Sequence, residues 1–146
     1  MIKAKDYIDI VLPNYNSSRY LKQTINSVIM QTYKKWQLII IDDCSDNKTL
    51  NLLKKFHKHK KIKIYYQKKN YGAGFCRNLA MKKSKSPYIA FIDSDDIWNK
   101  NKLEKQINFM KKNHYSFSYT YYETFGEKKK IITPPLSFNF KSFIKN

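Results

Sequence analysis

The sequence predicts an α/β sandwich with a mainly parallel sheet, and three observations carry that prediction. Short apolar runs without internal glycine or proline, such as residues 36–41 (WQLIII) and 88–92 (YIAFI), alternate along the chain with stretches of helical period. Runs apolar at consecutive positions suit strands covered by helices on both faces. Both runs end abruptly in acids, Asp42-Asp43 after one and Asp93-Ser94-Asp95-Asp96 after the other. The order β-α-β-α-β-α-β-α-β favours a sheet whose strands run parallel.

Residues 7–13 read as the first strand. Ile8, Ile10, Val11 and Leu12 suggest two buried faces, and Pro13, with no N–H for the ladder, is expected to end it. Asn14-Tyr15-Asn16-Ser17-Ser18 is turn chemistry, with Ser17 or Ser18 as the expected N-cap. Leu21, Ile25, Val28 and Ile29 then fall on one helical stripe. After the second strand, residues 48–58 read as a helix with Leu50, Leu53 and Phe56 inward. Ile62, Ile64 and Tyr66 make a third strand, nearer the edge of the sheet.

Residues 70–78 hold Gly72 and Gly74, two of the three glycines in the chain, so the backbone there needs positive φ or a close approach. A helix opens here and runs to about Lys83, with Phe75, Leu79 and Ala80 as core contacts. The paired glycines invite a dinucleotide-site reading, but Arg77 stands at the third glycine position of that motif. Residues 88–92 form the fourth strand, expected to be buried on both faces. Leu103, Ile107 and Met110 mark a helix within residues 99–112. Alternation of Phe117, Tyr119 and Tyr121 predicts a fifth strand over residues 116–122, with a hairpin turn at Gly126 and a return strand at Ile131-Ile132. Pro134-Pro135 stops regular structure, and Phe138, Phe140, Phe143 and Ile144 make the last segment too apolar for a free tail.

At 146 residues the chain is one domain, able to bury about 70% of its unfolded surface. No run of about 20 apolar residues suits a membrane span, and the first residues lack the pattern of a signal peptide. Cys44 and Cys76 have no metal-site spacing and read as free thiols of a reducing compartment, which predicts a cytoplasmic protein. The net charge of +18 suggests nucleic acid at first sight. Only Arg19 and Arg77 are arginine, however, and base-reading proteins depend on its bidentate geometry. A solvated lysine surface, drawn to anionic lipid heads as a peripheral membrane contact, is favoured over nucleic-acid binding.

Three strand ends would meet at one edge of a parallel sheet: Pro13, Tyr15 and Asn16; Asp42 and Asp43; Asp93, Ser94 and Asp95. An aromatic ring beside a carboxylate suits a nucleobase. Clustered carboxylates suit a divalent metal, Mg²⁺ or Mn²⁺, neutralising a diphosphate. The competing reading has Asp93 or Asp96 cap the next helix, the other acids being solvated. If the metal reading holds, the chemistry is departure of a nucleoside diphosphate from a sugar.

The pieces DIVLPNYN, SVIMQTYKKWQLIIIDDCSD, NYGAGFCRNLAM and YIAFIDSDDIW, in this order, resemble glycosyltransferase family 2 over about residues 7–133. LEKQINFMKKNHYSFSYTYYE is similar to bacterial members that build cell-envelope polysaccharides of teichuronic-acid type. The resemblance implies a GT-A fold and an inverting transferase using a nucleotide-diphospho-sugar, with UDP favoured over other nucleotides by the resemblance alone. It implies a nucleotide pocket beginning at Pro13, Tyr15 and Asn16, with Tyr15 near the base, Asp43 reading a uracil-type ring and Asp42 structural. Asp93-Ser94-Asp95 matches the DxD motif, with Asp95 on the metal and Asp93 on the ribose, the donor sugar or the metal. Gly72 and Arg77 match a loop and helix start, Arg77 contacting the donor or, preferably, bracing the carboxylates. Tyr71 and Trp98 are read as packing residues.

Members of that family continue beyond this length, their later half supplying the acceptor site and a carboxylate general base. Residues 1–133 are therefore expected to be the nucleotide-sugar-binding domain, and 134–146 the start of an acceptor half or a tail. The base is expected beyond the last residue, the acceptor is a saccharide or lipid-linked saccharide, and a homo-oligomer or a second-half partner would complete the fold. A non-catalytic nucleotide-sugar-binding or assembly module is the alternative.

Overall fold

The computed structural model describes residues 5–125 and 129–135. They divide into two compact units, one ending at Lys105 and the other beginning at Gln106. The elements in order are β1 (Ile8–Asn14), α1 (Leu21–Ile29), β2 (Trp36–Asp42), α2 (Asn47–Lys54), β3 (Ile62–Tyr66), α3 (Ala73–Lys83), β4 (Tyr88–Phe91), α4 (Lys102–Lys112), β5 (Tyr122–Thr124) and β6 (Lys130–Ile132).

The first unit holds a four-stranded parallel sheet in the order β3-β2-β1-β4. Strands β1 and β2 occupy the middle and are buried on both faces, as their mostly apolar runs predict; Asp9 of β1 is fully buried too, its carboxylate accepting Ser84 Oγ–H and Lys85 N–H at 2.9 Å each. Val11, Ile39 and Ile41 pack with Cys76 and Ala80 of α3. Ile10, Leu12, Leu38 and Ile40 alternate to the opposite face and are also fully buried. The stripe of α1 buries Leu21, Ile25 and Val28.

Several expectations need correction. Strand β1 does not end at Pro13 but runs through it to Asn14. Val11 turns its carbonyl toward the β4 side, where Ile92 N–H donates to it at 3.1 Å. With a period of two, Pro13 faces that same side, beyond the last residue of β4, so its missing N–H costs no ladder bond. Strand β4 is not buried on both faces. It lies at the sheet edge, and Ile89 and Phe91 are 39% and 49% exposed.

No serine side chain caps α1. The Ser17 hydroxyl donates to Asn14 Oδ1, and its carbonyl takes the N–H groups of Tyr20 and Leu21. Asp96 does not cap α4, which begins six residues later. Phe75 is not a core residue but is 44% exposed and stacked on Tyr71 at 4.5 Å.

In the second unit the expected hairpin is present, but its first strand is Tyr122–Thr124 rather than residues 116–122. The expected turn at Gly126 and the apolar segment from Phe138 to Ile144 lie outside the described residues. Among the described residues no helix is long and apolar enough to cross a membrane.

Candidate active site

Parallel strands deliver their C-terminal ends to one edge, and the loops leaving β1, β2 and β4 enclose a cleft of about 450 Å³ there. Of the sequence-predicted site residues, Pro13, Tyr15, Asp43, Gly72, Arg77, Asp93, Ser94 and Asp95 line it. Asn16 is not among the lining residues. It ties the loop after β1 to the loop after β2, its N–H donating to Ser45 Oγ at 2.9 Å and its Oδ1 accepting Asp46 N–H at 2.7 Å.

Asn14, Asn70, Ala73 and Cys76 also line the cleft and were missed. Cys76 lies one helical turn after Gly72, a spacing that could have placed it on the same side of α3. Asn14, 2% exposed, donates to Asp42 Oδ1 at 2.6 Å and to Ser45 Oγ at 3.3 Å. Asp42 also accepts Ser45 N–H at 3.2 Å. These bonds tie the ends of the two central strands together.

Asp43 faces the other way along β2 and fixes the glycine loop. Its carboxylate accepts the N–H of Tyr71 at 2.9 Å and of Gly72 at 2.7 Å. Gly72 has φ +88° and ψ 158°, a conformation reserved for glycine, and α3 starts at the next residue. Burial, then a hydrogen bond to Asp43 and the charges of Asp43 and Asp42, push the Cys76 thiol up to about 12. A carboxylate has about four acceptor positions, so two backbone donors and the Cys76 thiol leave Asp43 about one position for a ligand N–H.

On the opposite wall, Arg77 Nη2 donates to Asp93 Oδ1 at 2.5 Å, joining α3 to the loop after β4. Asp96 N–H closes a turn on the Asp93 carbonyl at 3.1 Å. Partial burial, then the charges of Asp93 and Asp95, hold the Asp96 carboxyl above its usual value. Trp98 is 9% exposed, with Lys102 Nζ 4.2 Å from its ring centre. Burial lowers Lys102 to about 8, opposed by Asp96. Tyr71, in contrast, is a surface residue packed on Phe75.

Among the described residues no three His, Cys, Asp or Glu side chains gather around one point. A cation caged by protein alone does not fit. The hard oxygens of Asp93 and Asp95 do fit Mg²⁺ or Mn²⁺ arriving with a diphosphate, since such ions use one or two carboxylates and complete their shell with phosphate and water.

An α/β sheet with acidic loops at its carboxyl edge and a glycine turn opening a helix beside them places the cleft where open parallel sheets carry their ligand sites. The family is shown by comparison: the model of Glycosyl transferase family 2 matches residues 9–145, and the chain belongs to that family.

The chain is 36% identical to TuaG of Bacillus subtilis, named as a teichuronic acid biosynthesis glycosyltransferase, over all of this chain and 60% of that protein. It is 37% identical to WfgD of Escherichia coli, a UDP-Glc:α-D-GlcNAc-diphosphoundecaprenol β-1,3-glucosyltransferase, over 97% of this chain and 56% of that one. Residues 1–349 of Staphylococcus aureus TarS in complex with UDP superpose with a TM-score of 0.69 and 31% identity, over 74% of this chain and 33% of that one. The fold is thus of the GT-A type. The chain spans less than two thirds of each of these three proteins.

Proposed function

We propose that this chain is the donor-binding part of a glycosyltransferase that takes a UDP-sugar with Mg²⁺ or Mn²⁺ for inverting transfer in cell-envelope polysaccharide synthesis. One observation carries the reading: a single cleft joins Tyr15 and Asp43 on one side to Asp93, Ser94 and Asp95 on the other. That arrangement suits a ligand with a planar base at one end and a diphosphate at the other.

Tyr15, 52% exposed, offers its ring to the face of the base. Asp43 accepts an N–H from the base edge, and Pro13 and the Gly72 turn bound the pocket. Asp95 and Asp93 hold the cation, which when bound offsets negative charge on the departing diphosphate. Arg77 braces Asp93 and so fixes the wall on which the diphosphate rests.

The names of two relatives support the wider setting. WfgD uses UDP-glucose and a lipid-linked sugar, and TuaG is named for an envelope polymer. The acceptor here is accordingly a saccharide or lipid-linked saccharide, met on the cytoplasmic side of the membrane at its surface. The carboxylate base that deprotonates the acceptor hydroxyl is supplied from outside this cleft.

The test is calorimetric titration of UDP into the chain with Mn²⁺ and then with EDTA. Binding that needs the metal and is lost in Asp95→Ala supports the reading. Equal heats in both conditions, or an unaffected Asp95→Ala variant, would overturn it.

A further inference from the structure

The loop that carries Asp93 and Asp95 continues to the start of α4 at Lys102 without forming a helix or strand, yet it is pinned along its length by buried polar side chains of and just after α1. Thr24 Oγ1 donates to the Ser94 carbonyl at 3.0 Å. Ser27 Oγ accepts the Trp98 N–H at 3.1 Å. Gln31 bridges two further points, its Nε2 donating to the Asn99 carbonyl at 2.8 Å and its Oε1 accepting the Leu103 N–H at 3.0 Å. The spacing puts Thr24 and Ser27 on one face of α1, and Gln31 follows two residues past the end of that helix. Each is at most 2% exposed. A fully buried polar side chain is costly unless bonded. Each of these three also donates to a carbonyl of the preceding helical turn, Thr24 to Tyr20 at 3.4 Å, Ser27 to Thr24 at 2.7 Å and Gln31 to Ser27 at 3.1 Å, and each makes at least one further bond to the backbone between Ser94 and Leu103.

We propose that Thr24, Ser27 and Gln31 are positioning residues that hold the Asp93–Asp95 carboxylates in register for the metal-diphosphate. This rests on the donor-site reading above. The decisive anchor is Thr24, because Ser94 lies between the two carboxylates. Arg77 of α3 holds Asp93 from one side, and Thr24 of α1 holds the next residue's backbone from the other. The loop is thereby fixed between two helices while Asp95 remains exposed at the cleft. Outer partners of metal-binding carboxylates act by fixing their orientation, and their loss typically weakens metal affinity about 10- to 100-fold.

The experiment measures the Mn²⁺ concentration that half-saturates UDP binding in the unaltered chain, Thr24→Val, Thr24→Ser and Ser27→Ala. Binding of UMP in EDTA, followed by protein NMR shifts, reports the base side of the cleft. The expected result is a rise in the Mn²⁺ requirement of roughly 10-fold for Thr24→Val, with UMP binding unchanged and recovery in Thr24→Ser. Ser27→Ala shifts the requirement in the same direction and serves if Thr24→Val does not fold. An unchanged Mn²⁺ requirement, or a parallel loss of UMP binding, overturns the proposal. If the unaltered chain shows no metal-dependent UDP binding, the donor-site reading fails and this inference with it. If it shows that binding and the variants shift nothing, only the positioning role fails.

Discussion

At the scale of single residues, Gly72 and Gly74 separate two uses of glycine that the sequence presents alike. A Cβ at either position meets no atom within 4 Å, so space does not distinguish them. Conformation does. Gly72 lies at φ +88°, where any other residue is strained by about 1–3 kcal/mol, while Gly74 sits inside the first turn of α3. Gly72→Ala is therefore expected to lower the urea midpoint and Gly74→Ala to leave it unchanged or raise it, alanine being favoured in helices by up to about 1 kcal/mol. The two cysteines differ as clearly. Cys44 is exposed, whereas Cys76 is buried with its thiol held neutral well above pH 8. A thiol reagent at pH 8 should modify one cysteine in the native chain and two after denaturation; fast modification of both would contradict the buried setting.

At the scale of elements, α2 shows how a local signal becomes a pH response. Asp46 caps it, accepting Thr49 N–H at 2.8 Å. The Thr49 side chain, and then its backbone N–H, hold the Asp46 carboxyl below its ordinary 3.8. The folded state thus binds this proton less readily than the unfolded chain. The stabilisation is full above the unfolded value and fades as pH falls through the folded one. Asp46→Asn, which keeps an acceptor but cannot titrate, should flatten the dependence of melting temperature on pH below about 3.8; an unchanged acid limb would show the cap contributes nothing there. The cap itself was legible as an acid three residues before Thr49. The central strands were legible because two-sided burial demands apolar residues at every position, as in Ile39, Ile40 and Ile41. Strand β4 has the same composition, and nothing local tells that Ile89 and Phe91 stand at an edge, which only the order of the strands decides. Alternation at Phe117, Tyr119 and Tyr121 misled for a related reason. Period two permits a strand but does not create one, and pairing with Lys130–Ile132 places the strand at Tyr122–Thr124 instead.

At the scale of the whole molecule, the site was legible through the strand ends, because parallel strands bring Tyr15, Asp43 and Asp93–Asp95 to one edge whatever the loops do. What joins them was not legible. Asn14 to Asp42, Arg77 to Asp93 and Thr24 to Ser94 are separated by 28, 16 and 70 residues, and no local pattern announces such contacts. The same topology sets the electrostatics. Acids gather at the cleft edge although the chain carries a net charge of +18. With metal bound and Asp93 paired to Arg77, the near charges largely cancel, leaving the many lysines farther away to attract the anionic nucleotide. Raising ionic strength from about 0.05 M to about 0.5 M cuts the screening length to roughly a third and removes that attraction first. UDP with Mn²⁺ is therefore expected to bind several-fold more weakly at the higher salt, while uridine, which carries no charge, shifts by less than about twofold. In EDTA the exposed carboxylates oppose the diphosphate directly, so UDP should give no binding heat at either salt concentration. Measured by calorimetry across the salt series, an affinity of UDP with Mn²⁺ that shifts no more than that of uridine would mean that the distant lysines contribute no attraction.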